Sequence, residues 1–136
     1  MIREIMHDPI FLAQKSEPAT KADVSLGDDM LDTLKAHKDA CVGMAANMIG
    51  VKKRIIVFDN NGTYMVMYNP EIVMKNGLFD TEEGCLSLSG IRKTQRYKLI
   101  KVEWMDRNFK KQSEIFVGWT AQIIQHEIDH CNGILI

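Results

Sequence analysis

The spacing of apolar positions changes along the chain, and each change marks an element. Leu26, Met30, Leu31 and Leu34 recur at helical spacing. Asp28, Asp29 and Asp32 precede Lys35 and Lys38, the charge order that suits a helix dipole, and Ser25 can cap the start, so the pattern predicts a helix from about 26 to 38. Upstream, residues 2–22 show no period and carry Pro9 and Pro18, which predicts an irregular segment wrapped on the core. From Lys53 to Asp59 the run Arg54-Ile55-Ile56-Val57-Phe58 is β-branched and aromatic, and a second such run spans Tyr64 to Tyr68. With Asn60-Asn61-Gly62 between them, the two read as a hairpin whose second strand ends at Asn69-Pro70 or lies at an edge there. Leu99 to Trp104 and Ser113 to Val117 form another candidate pair, joined through Asp106-Arg107-Asn108.

The last periodic stretch runs from Gly118 to about Cys131, where Asn132-Gly133 can close a helix. At about 100° per residue, Trp119, Ile123, His126 and His130 share one face while Ala121, Ile124 and Ile128 occupy the other. Apolar on both sides, this helix is expected to be buried. Strands precede it without βαβ alternation, so the predicted fold is α+β, with mainly antiparallel strands packed around a buried C-terminal helix, in one domain spanning 1–136.

Composition narrows the function. Seventeen basic residues face eighteen acidic ones with no recurring basic block, which gives nucleic-acid binding no electrostatic support. The opening residues lack the apolar run of a signal peptide and no stretch is long and apolar enough for a membrane span, so a cytoplasmic protein is expected. Three cysteines, Cys41, Cys85 and Cys131, are an odd number and argue against a disulfide framework. Without secretion, Asn61-Gly62-Thr63 reads as a turn rather than a glycosylation acceptor.

Within the last helix, His126-Glu127-Ile128-Asp129-His130 has H-E-x-x-H spacing. Residues four apart lie on one helical face, so both imidazoles can reach one ion, while the adjacent carboxylate stays near it and free to handle a proton. A buried imidazole needs a partner or a metal, which favours a metal site over two ordinary histidines on a solvated face. A catalytic site usually has a third protein ligand. Cys41, Cys85, Cys131, His7, His37 and the carboxylates are all candidates on spacing alone.

Three segments then converge on a family. Gly43-Met44-Ala45-Ala46-Asn47-Met48-Ile49-Gly50, Glu83-Gly84-Cys85-Leu86-Ser87 and Gln125-His126-Glu127-Ile128-Asp129-His130-Cys131-Asn132-Gly133 resemble, in order and separation, the three motifs of the peptide deformylases, and Asn69-Pro70 fits the pattern between the first two. The resemblance implies an α+β metallohydrolase that removes the formyl group from N-formyl-methionyl nascent polypeptides, at the ribosome. It also implies that Cys85, His126 and His130 hold one divalent ion, ferrous iron first, with zinc or nickel as alternatives. Glu127 would act as general base and then acid, and the backbone N–H of Leu86, with Gly43 and the residue at Met48, would face the oxyanion and substrate. Val42, Trp119 and Ile123 are candidates for the pocket that takes the methionine side chain.

The main departure is Met48, where the family carries a glutamine whose amide steadies the developing oxyanion. A thioether donates no hydrogen bond. In an extended segment Asn47 would point to the opposite face and could not replace that amide. Cys41 stands for the motif's leading glycine and Ser89 for a usual proline. Arg96 falls where the family often has an arginine near the substrate or the motif core, and it equally suits a structural ion pair with an acid such as Glu83. Two readings follow: a deformylase, with activity lowered at Met48, or an impaired relative that keeps the metal site and binds peptides or regulates. A zinc endopeptidase, resting on the pentad alone, is a third.

Overall fold

The apolar runs between residues 43 and 117 become one five-stranded sheet in the computed structural model, which describes residues 1–136. Its strands are β1 (Gly43–Ala45), β2 (Ile55–Asn60), β3 (Thr63–Cys85), β4 (Leu88–Met105) and β5 (Lys111–Val117). They lie side by side in chain order, every neighbouring pair antiparallel. Asn61 and Gly62 turn β2 into β3 with φ of 52° and 97°, the positive pair that a tight hairpin turn demands.

Asn69-Pro70 does not end β3; past this point the strand pairs with β4 alone and so lies at an edge, the second of the two expectations. The strand shifts register between Tyr68 and Glu71, leaving β2 and continuing against β4, and the irregularity accommodates both the positive φ of Asn69 (54°) and the proline's missing N–H. The Asn69 carboxamide is spent on the backbone of Ala19, donating at 3.0 Å and accepting at 2.7 Å. Beyond this point β3 and β4 form a long hairpin closed at Leu86-Ser87, and its end carries Cys85.

Two layers of helix flank the sheet. Helix α2 (Val24–Ala36) starts and ends two residues earlier than expected, and Ser25 lies inside it. A single 3-10 turn, Lys21–Asp23, leads into it, with Thr20 N–H donating to the Asp23 carboxylate at 2.8 Å. Met30 and Leu34 of α2 pack with Met44, Ile55, Val57 and Tyr68 on one face of the sheet. On the other face, Ile56, Phe58, Ile100, Val102 and Phe116 meet Ala121, Ile124, Ile128 and Cys131 of α3 (Gly118–Cys131). Because β2 is covered on both sides, its apolar run is continuous rather than alternating. The N-terminal segment is not wholly irregular: α1 (Pro9–Leu12) places Pro9 in its first turn, where no N–H is needed, and Asp8 caps it by accepting from Ile10 N–H at 2.9 Å.

Helix α3 is buried as expected except at its first two residues, Gly118 and Trp119, the latter 60% exposed. Gly133, at φ 75°, ends it and donates to His130 O at 3.0 Å; a side chain there would strike the backbone of Ala13.

Candidate active site

The tip of the β3–β4 hairpin folds against the middle of α3, which brings together residues far apart in sequence. Cys85 Sγ lies 3.3 Å from His130 Nε2, and the Nε2 atoms of His126 and His130 are 3.0 Å apart. The other candidate ligands stand elsewhere. His7 approaches Ser87 O at 3.1 Å, His37 approaches Thr33 O at 2.9 Å, and Cys131 is packed in the core. Cys41 lines the cleft, with burial, then Glu127 and Cys85, pushing its thiol up to about 11.

The donor cluster fits a transition metal. Ordinary metal–nitrogen and metal–sulfur bonds in a tetrahedral site hold ligand atoms about 3.3–3.6 Å apart, so the imidazoles need to part only slightly. His126 has its tautomer set from behind, with Nδ1–H donating to Glu83 Oε1 at 2.7 Å and Nε2 turned to the cluster. Burial opposes the charged form of His126, yet Glu127, Cys85 and Glu83 outweigh it and push the imidazole up to about 10. The position is thus one that favours a cation. Burial and the neighbouring His126 and Arg96 push His130 down to about 3, leaving a neutral ring with a lone pair to offer.

Behind the cluster runs a chain of charges that the sequence hinted at only through the pairing of Arg96 with an acid. Arg96 is buried and donates to both oxygens of Glu83, at 2.8 Å and 3.0 Å, and to Asp129 at 2.6 Å. Gln122 Nε2 adds a bond to Glu83 at 2.9 Å. Burial works against the Glu83 carboxylate, but bonds from His126, Arg96 and Gln122 prevail and hold it down at about 2. Gln122 and Asp129 went unremarked in the sequence, although both lie near the histidines in the helical repeat.

Glu127 sits on the other side of the cluster. Its Oε1 is buried and has no hydrogen-bond partner, and burial above all raises its pKa to about 7 despite His126. Gly43 makes this approach feasible. A Cβ there would fall 2.8 Å from Glu127 Oε2 and 2.8 Å from Ile123 Cγ2.

A cleft of about 690 Å³ opens onto these groups, with Val42, Gly43, Met48, Leu86, Trp119 and Ile123 among its walls. Val42 and Trp119 are exposed at the rim, whereas Ile123 is buried deeper. Met48 does reach the wall, but its sulfur accepts the Ala45 N–H at 3.4 Å. Residues 46–49 form a 3-10 turn rather than an extended segment, and Asn47 still points away, donating to His130 O at 2.9 Å.

A partnerless carboxylate that titrates near neutrality, set beside a thiol and two imidazoles able to hold an ion, places the protein among the metal-dependent hydrolases. The profile described as polypeptide deformylase matches residues 2–136. A peptide deformylase of Clostridium beijerinckii is 56% identical over 136 residues, which cover 100% of both chains. The crystal structure of the Thermotoga maritima peptide deformylase superposes with a TM-score of 0.90 at 32% identity, over 99% of this chain and 95% of that one. A Met-Ala-Ser-bound class I type b peptide deformylase from Acinetobacter baumannii gives 0.89 at 27% identity, over 99% and 97%. The chain belongs to the polypeptide deformylase family, whose reaction is the removal of the N-formyl group from nascent peptides by a metal-dependent hydrolase.

Proposed function

We propose that this chain deformylates N-formyl-methionyl nascent peptides in the cytoplasm, as they leave the ribosome, with Glu127 carrying the proton. The observation that bears most weight is the buried, partnerless Oε1 of Glu127 beside the Cys85, His126 and His130 cluster. Those three residues would hold one divalent ion, ferrous iron in our reading, with zinc and nickel also suited to a thiolate and two imidazoles. When bound, such an ion polarises the formyl oxygen and lowers the pKa of water.

The rest falls to the protein. Glu127, with a pKa near 7, takes the proton of the attacking water and returns it to the leaving amine. The Leu86 N–H, at the turn that closes the hairpin, donates to the developing oxyanion, with Gly43 and Met48 forming the adjoining wall. Val42, Trp119 and Ile123 offer the methionine side chain an apolar surface along the cleft. The Met-Ala-Ser peptide in the Acinetobacter relative supports a peptide of this class as ligand.

Glu127→Gln tests the assignment. The substitution keeps shape and much of the hydrogen bonding but cannot accept a proton, so the ion is expected to stay while turnover of a formyl-methionyl peptide falls by at least about 10². Undiminished turnover in metal-loaded Glu127→Gln would remove this residue from the reaction.

A further inference from the structure

The two histidines are supported differently. His126 has a buried carboxylate behind its Nδ1, whereas His130 Nδ1 is buried and without a partner. The side chain that holds the His130 backbone is Asn47, which comes from the turn after β1 and spans 83 positions to donate to His130 O at 2.9 Å. That carbonyl also accepts Gly133 N–H at 3.0 Å, so the last turn of α3 is held at the ligand residue itself from two sides. Asn47 is fully buried, and its Oδ1 is a second polar atom at this junction with no partner.

We propose that Asn47 is a positioning residue for the metal centre. It fixes the backbone of His130, and hence the ring that carries Nε2, relative to the cleft wall on which Met48 lies. The inference rests on the metal reading of Cys85, His126 and His130. Its role parallels that of Glu83 for His126, but it acts through the main chain, and it couples the turn that carries the first motif to His130.

The test uses the full chain and zinc ion as probe, with affinity measured by chelator competition at a temperature where every variant is folded, and thermal midpoints of the metal-free proteins taken in parallel. Asn47→Leu removes donor and acceptor at similar volume, and Asn47→Asp keeps the shape but sets a carboxylate against the carbonyl. Zinc affinity is expected to fall about 10–100-fold in both, the loss usual for an outer partner of a metal ligand. Asn47→Asp also provides a measurement should Asn47→Leu fold poorly. Affinities within threefold of the parent, with only a lowered metal-free midpoint, would reduce Asn47 to a structural tie and overturn the inference. If Cys85→Ala binds zinc as well as the parent, it is the metal reading that fails, and the inference with it.

Discussion

In the proposed reaction, Met48 is where a single side chain bears most on rate. Its thioether accepts the Ala45 N–H and stabilises its own turn, so it contributes no donor to the oxyanion wall. Met48→Gln is expected to raise turnover on a formyl-methionyl peptide by about tenfold to a thousandfold while changing KM less, because a donor aimed at developing charge acts mainly in the transition state. Steady-state kinetics on the folded, metal-loaded variant decide it, and no gain would mean that this amide does not limit the site. At this scale the sequence was readable in part. His126 and His130 follow from spacing within one helix, and Glu127 from its place between them. Cys85 came from the family resemblance, since spacing left it among several candidates. The bond from His126 to Glu83 spans 43 positions, and no local pattern records a contact of that kind.

The elements show which patterns carry information. Helix α3 was delimited correctly because its apolar positions, its start and its closing glycine agree. The β2–β3 hairpin was equally plain from its Asn-Gly turn. Most of the β3–β4 hairpin was not, because much of residues 71–98 lies exposed and carries charged and small residues in place of an apolar alternation. Its order comes from pairing with a distant partner strand, which the sequence does not display. The junction of β1 with α3 supplies a test. In Gly43→Ala the new methyl would meet Glu127 Oε2 and Ile123 Cγ2, each at 2.8 Å, so the Glu127 carboxylate, the Ile123 side chain or the strand itself must shift. A stability loss of about 1–3 kcal/mol is expected by urea unfolding. Turnover should fall further than that loss explains, because one of the displaced groups is the carboxylate proposed to carry the proton. A variant as stable and active as the parent would show that this contact is not tight.

For the molecule as a whole, the α+β class and the buried C-terminal helix were legible, but the double coverage of the sheet was not. The continuous run in β2 was its one trace. Tyr68, in the layer beneath α2, gives that layer a pH signature. Its hydroxyl donates to Val24 O at 2.8 Å, and burial, with Asp28 adding to it and Arg107 opposing, pushes the phenol from 10.0 up to about 12. A group whose folded-state pKa lies above its unfolded value contributes stability that is complete below the unfolded value and lost as pH climbs to the folded one. Stability is therefore expected to decline between about pH 10 and 12, and Tyr68→Phe should flatten that decline relative to the parent in urea midpoints taken across the range. An equally steep decline in the variant would assign the alkaline loss to other groups.

The order of the ligands along the chain has a consequence for biosynthesis. Cys85 is made before His126 and His130, and the helix that carries both histidines also fills one of the two cores. A growing chain can pair β2 with β3 early, yet the cluster cannot close until α3 has been synthesised and inserted against strands already formed. Metal capture is thereby deferred to the end of folding. The ion is then bound by a finished pocket rather than by an unfolded thiol, and its binding energy stabilises only chains in which α3 has been made and inserted.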